Sequence, residues 1–306
     1  MSVRRVQDRE GGSELALETA PNSQHPPTAR RDGEPVLRRR ALALLKQAAR
    51  TVVRAPRDHR QLVLIFGCQR SGTTMLQQTV FDKSWRVLII EEHDRRLVGT
   101  AGPHDETRWQ DYATVVQRLR RIPFEVVVAK PLVESSQAVE LMDAAVPVRA
   151  IWMLRRYDAV SRSNIKKFGL ENPYRDLQPF CENDPQNWRS RGATEETRDT
   201  VASLLGEGLS PLDAGALFWW ARNRLYFDQQ LQTDDRIRVL RYERACNQPE
   251  AVVDALSAYT GVTLPADSIA PKMHRQPERP ETEELHPGVR RLCREMWESF
   301  GGCPEL

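Results

Sequence analysis

Apolar residues gather in five short runs along the chain: LVLIFG (62–67), RVLIIE (86–91), FEVVVAK (124–130), VRAIWML (148–154) and RIRVLRYE (236–243). Each is rich in leucine or β-branched residues and lacks the apolar–polar alternation of a strand with one wet face. Each therefore predicts a strand buried on both sides. Helical spacing of apolar residues predicts helices over 73–81, 109–121, 135–145, 159–168, 212–232, 249–260 and 287–300. Strands and helices alternating in this way predict a parallel sheet flanked by helices, an α/β fold. The stretch 171–210 is polar, breaks the rhythm and reads as an irregular insertion.

The sheet pattern starts only after a basic N-terminal extension, residues 1–58, which leaves 59–306 as a single main domain. Residues 1 to about 35 are rich in Pro, Gly, Ser, Glu and Arg and predict a disordered tail. Residues 37–57 carry many arginines, with Leu37, Leu42, Leu44, Leu45, Val52 and Val53 loosely on one helical face. Two readings stand for this segment: a basic amphipathic helix on an anionic membrane or partner, or a peripheral helix with a solvated basic face.

Composition narrows the classes. With 45 basic and 42 acidic residues among 306, the net charge of +3 makes no case for nucleic-acid binding. No run reaches the roughly 18 apolar residues of a membrane span, and the first residues lack the apolar core of a signal peptide. The expected location is the cytoplasm, with peripheral membrane contact through 37–57 under the first reading of that helix. Five scattered cysteines, with no Cys-x-x-Cys pair, support neither a disulfide framework nor a zinc site.

The chemistry starts after the first run, where Gly67-Cys68-Gln69-Arg70-Ser71-Gly72-Thr73-Thr74 leads into a helix. Strand, glycine-bounded turn and helix aim backbone N–H groups at one point, which suits a phosphate or sulfate group. The spacing is that of the P-loop GxxxxGK[ST], with Thr73 in the lysine position. Without that lysine the loop lacks the charge that holds the β- and γ-phosphates of a nucleoside triphosphate.

The segment Arg70-Ser71-Gly72-Thr73-Thr74-Met75-Leu76 resembles the (K/R)SGTTxL loop of sulfotransferases that use 3′-phosphoadenosine 5′-phosphosulfate (PAPS). The resemblance covers roughly 60–300 in outline and implies a P-loop-type parallel β-sheet flanked by helices. It implies that Arg70 lies beside the oxygen bridging sulfur and phosphorus, with Ser71, Gly72, Thr73 and Thr74 around the 5′-phosphate. It also implies a 3′-phosphate anchor made of a strand-end arginine and a serine eight residues later, here Arg155 and Ser163. The family's Pro and Asp after that arginine are replaced by Tyr157 and Ala159, so a shifted register using Arg156 or Ser161 stays open. The family's glycine-rich loop over the nucleotide has no counterpart; His274 and Arg275 are the nearest substitutes.

Relatives carry their base after the second strand, where this chain reads Glu91-Glu92-His93-Asp94. Glu92 ranks first, Glu91 second and His93 third. Lys130, leaving the third strand before Pro131, is the candidate for neutralising charge at the transferring group. The expected reaction moves a sulfuryl group from PAPS, without a metal, to a hydroxyl or amine of a small-molecule, carbohydrate or lipid acceptor. The insertion at about 171–210 is expected on the acceptor side; its Trp188, Arg189 and Arg191 read either as holders of a carbohydrate or anionic group or as a surface patch. Tyr242 and Glu243 read as core and cap residues. The alternatives are a P-loop kinase or nucleotide hydrolase, with Glu91 or Glu92 on magnesium, and a nucleotide-binding module without catalysis.

Overall fold

The computed structural model describes residues 61–92, 94, 109, 111–122, 124–145, 147–273 and 284–306. The tail and basic helix expected through residue 58, and His93, His274 and Arg275, lie outside the described residues.

Five strands form one parallel sheet: β1 (Gln61–Gly67), β2 (Val87–Ile90), β3 (Val126–Ala129), β4 (Val148–Leu154) and β5 (Ile237–Arg241), in the order β2-β3-β1-β4-β5. All five expected runs are strands. The last ends two residues early, because Tyr242 begins a helix. Both faces of the sheet are covered, which explains the missing alternation. Leu62, Leu64 and Phe66 of β1 point into one apolar cluster, and Val63 and Ile65 into the other.

The first helical segment opens as α1 (Thr73–Met75), widens to a π-turn over Leu76–Val80 and closes as a 3₁₀ turn over Phe81–Lys83. Then come α2 (Tyr112–Arg121), capped by the Asp111 carboxylate, and α3 (Ala138–Ala144). After β4 follow α4 (Tyr157–Phe168), α5 (Asn172–Cys181), α6 (Glu195–Leu205) and α7 (Pro211–Asp228). The insertion is thus not irregular. Pro173 in the first turn starts α5, and Thr194, accepting from the Thr197 N–H, caps α6. These helices are hard to read from sequence because their inner faces carry buried polar groups such as Asp176.

Helix α7 is buried on nearly every side, so it shows no amphipathic stripe. A capping box between Ser210 and Asp213, with Pro211 at the first position, fixes its start. It packs on β4, where Trp152 Nε1 donates to Asn223 Oδ1 at 3.0 Å. The chain ends with α8 (Tyr242–Asn247), α9 (Pro249–Thr260), α10 (Ala266–Ile269) and α11 (Pro287–Ser299). Residues 304–306 lie along the outer side of β5: the Val239 N–H donates to the Pro304 carbonyl, and the Leu306 N–H to the Val239 carbonyl, both at 2.9 Å. None of the described helices is long and apolar enough to cross a membrane.

Candidate active site

The connection from β1 runs to one side of the sheet and that from β4 to the other, which opens a crevice at their carboxyl ends, the usual ligand position in such sheets. The turn leaving β1 lies there. Gly67 has φ +125°, and a Cβ on it would come within 2.5 Å of the Met153 carbonyl, so the position requires glycine. Cys68 is fully buried beneath the turn; burial pushes its thiol up to about 12, which makes it core and not nucleophile. Arg70 takes the left-handed region at φ +69°, a strain of about 1 kcal/mol or more for a residue with a Cβ. Gly72, at φ +97°, has its α-carbon against the Tyr242 ring. The N–H groups of Thr73, Thr74 and Met75 open the helical run, where no intrahelical acceptor exists for them.

Two cationic side chains meet over this turn. Arg70 Nε donates to Ser163 Oγ at 3.1 Å, and Arg155 Nη1 donates to the Arg70 carbonyl at 3.3 Å. The Arg155 guanidinium stacks on Tyr242, 4.3 Å from the ring centre. Burial, with the Arg155 charge second, holds the Arg70 guanidinium below its ordinary value. Among the described residues no carboxylate pairs with either guanidinium. Arg155 Nε and the fully buried Ser71 Oγ have no hydrogen-bond partner among the described residues either.

The neighbouring residues that left the register open are committed elsewhere. Arg156 binds Asp158 through Nε at 2.6 Å and Nη2 at 2.8 Å, and its backbone N–H donates to Glu243 Oε1 at 2.9 Å. Ser161 is fully buried between α4 and α7 and donates to the Leu212 carbonyl at 2.7 Å. Arg155 and Ser163, and not Arg156 and Ser161, meet the loop.

A second group forms where β2 and β3 end. Lys130, only 6% exposed, donates from Nζ to Thr74 Oγ1 at 3.2 Å and stands 3.8 Å from Glu92 Oε1. Glu91 is exposed and accepts from Gln78 Nε2 at 3.3 Å. Glu92, Lys130 and Thr74 thus run as a chain from the strand ends to the glycine turn. Thr73 is buried at the start of the helix.

In the insertion, Arg189 Nε binds Asp176 Oδ1 at 2.7 Å, and Arg191 Nη1 lies 3.8 Å from the buried Glu134. The Trp188 carbonyl accepts from Arg222 at 2.7 Å. The arginines that sequence offers for an anionic acceptor therefore point to internal carboxylates. Two residues near the site were not expected there: Tyr242, read from sequence as a core residue, whose ring lies against both Gly72 and Arg155, and Asp176, whose Oδ2 accepts from Gln69 of the turn at 2.7 Å. An aromatic directly after the last strand was the available signal for the first; nothing in the local sequence marks the second. Among the described residues no three His, Cys, Asp or Glu side chains gather as metal ligands would.

No family model matches the chain, and no curated protein matches it in sequence. Among solved structures it is similar to the sulfotransferase domain of the Synechococcus PCC 7002 olefin synthase, at 14% identity over 78% of this chain and 96% of that one, with a TM-score of 0.45. It is similar to STF9, a sulfotransferase from Mycobacterium avium, at 14% identity over 88% and 83%, with a TM-score of 0.44. A sulfotransferase from Alicyclobacillus acidocaldarius matches at 18% identity over 78% and 91%, with a TM-score of 0.40.

Proposed function

We propose that the chain is a sulfotransferase that moves the sulfuryl group of PAPS to a hydroxyl or amine of an organic acceptor. One observation carries the reading: the Arg70 and Arg155 guanidinium groups converge near Ser163 over the glycine turn, and no carboxylate among the described residues neutralises them. Two like charges held together in a half-buried crevice favour an anionic ligand, which supplies the missing counter-charge. Beside the turn, Arg155 Nε and Ser71 Oγ are buried without a hydrogen-bond partner among the described residues, polar groups for which a ligand at this site would account. The threonine in the P-loop lysine position separates this turn from one built for the charge of a nucleoside triphosphate.

Under this reading each of these residues has a part in holding the donor nucleotide. Arg155 and Ser163 would bind its 3′-phosphate, and Ser71, Gly72, Thr73, Thr74 and the opening N–H groups its 5′-phosphate. Arg70 borders both. In the transfer, Glu92 takes the acceptor proton as the acceptor oxygen or nitrogen bonds to sulfur. The bond from sulfur to the 5′-phosphate oxygen breaks, and the nucleotide leaves as 3′-phosphoadenosine 5′-phosphate with the added negative charge. Lys130 and Arg70 stabilise that charge, a task of positioning and electrostatics. Glu92 is preferred to Glu91 because it faces Lys130, 3.8 Å away, whereas Glu91 turns to Gln78.

Calorimetric binding of 3′-phosphoadenosine 5′-phosphate in EDTA, against ADP with magnesium, tests the reading. Tight metal-free binding, weakened by about 1.5–3 kcal/mol in Arg155→Ala, is the expected result. Preference for magnesium-ADP with no effect of that substitution would replace it with a kinase-like function.

A further inference from the structure

Asp176 lies in the insertion helix α5, is 1% exposed and accepts four hydrogen bonds. Gln69 Nε2 at 2.7 Å, Asn172 Nδ2 at 2.8 Å and Asn164 Nδ2 at 3.1 Å reach Oδ2, and Arg189 Nε at 2.7 Å reaches Oδ1. Two of these partners have telling neighbours. Gln69 precedes Arg70, and Asn164 follows Ser163. One buried carboxylate thus grips the chain beside each member of the Arg70–Ser163 pair, which sits 3.1 Å apart on two different elements. The grip also opposes the tendency of Arg70 to leave its left-handed backbone.

We infer that Asp176 is a positioning residue: through Gln69 and Asn164 it fixes the separation of Arg70 and Ser163, and so sets the affinity of the anion site from the insertion. A carboxylate suits the task because it accepts at both oxygens and donates nothing, so all four donors converge without competition. Charge-assisted bonds in a buried network are also stiffer than neutral ones. The inference rests on the anion-binding reading of the turn, though not on the nucleotide.

The test is a double-mutant cycle on ligand affinity with Asp176→Asn and Gln69→Leu. It is run by calorimetry well below each variant's unfolding midpoint, with 3′-phosphoadenosine 5′-phosphate and, separately, inorganic pyrophosphate. Asp176→Asn, which disturbs the links through both Gln69 and Asn164, is expected to lose about tenfold in affinity, Gln69→Leu, which cuts one of them, no more than that, and the double variant no more than Asp176→Asn alone. The loss from Arg70→Ala is expected to shrink in the Asp176→Asn background. Additive losses, or a folded Asp176→Asn protein binding within about twofold of wild type despite a lower midpoint, would overturn the inference and leave Asp176 a purely structural residue. If the wild type binds pyrophosphate in an Asp176-dependent way but not the bisphosphate, the positioning role stands and the nucleotide reading falls. If it binds neither, both fall.

Discussion

Arg70 Nε reaches Ser163 Oγ at 3.1 Å across 93 positions of sequence, joining the glycine turn after β1 to the second turn of α4. Ser161, two residues before, donates instead to the Leu212 carbonyl from a fully buried position. The two serines are about 200° apart around the helix, so one serves the crevice and the other the core. Ser163→Ala should weaken binding of the bisphosphate by about 1 kcal/mol and leave the unfolding midpoint nearly unchanged, whereas Ser161→Ala should cost about 1 kcal/mol of stability. Calorimetry and urea unfolding on both variants check the split; equal effects on both readouts would refute it.

Gly72 combines φ +97° with an α-carbon against the Tyr242 ring. Gly72→Ala should cost about 1–3 kcal/mol through backbone strain alone and should displace the ring on which Arg155 stacks. Tyr242→Phe keeps the ring and should bind like wild type. Tyr242→Leu should lose about 1 kcal/mol of bisphosphate affinity with the cation–π contact.

Glu92→Gln should lower kcat by about 10²–10⁴ while donor affinity holds, as expected for loss of a general base. Glu91→Gln, altering an exposed group held by Gln78, should stay within about twofold of wild type. Steady-state kinetics with any accepted alcohol or amine compares the two. Equal losses would mean the base has been assigned to the wrong carboxylate.

The Cys68 thiol, pushed by burial from 9.0 to about 12, makes stability depend on alkaline pH. Unfolded chains lose this proton near pH 9, whereas the folded protein keeps it until about pH 12, so the folded state binds more protons in that window. Stability should therefore fall as pH rises above 9. Urea midpoints from pH 8 to 10.5 should show a shallower decline in Cys68→Ala than in wild type; parallel declines would refute the assignment. Iodoacetamide at pH 8 should label the exposed Cys181 in the native protein and spare Cys68.

How far the sequence reached depended on whether each signal was local. The five strands were legible because each, buried on both faces, is a continuous apolar run. The glycine turn was legible because its residues are consecutive and its chemistry is carried by the backbone. Arg155 and Ser163 needed the resemblance, and only packing separates them from Arg156 and Ser161, since Asp158 occupies one neighbour and Leu212 the other. The choice between Glu91 and Glu92 likewise depends on which of two adjacent side chains faces Lys130. Helices α5 and α6 were missed because their buried faces include polar residues, Asp176 and Thr197, which interrupt the apolar period. Asp176 is the extreme case: its ligands come from the turn, α4, α5 and the segment after α5.

Residues 304–306, lying along β5, have a consequence for how copies of the molecule behave towards one another. β5 is one of the two edge strands, and its Val239 N–H and C=O are both taken by this short segment, with Arg241 further holding Glu305 at 2.7 Å. An uncovered strand edge would offer its unpaired N–H and C=O groups to the edge of another sheet. Covering that edge should guard against self-association, so removal of the three residues is expected to appear first as a loss of solubility.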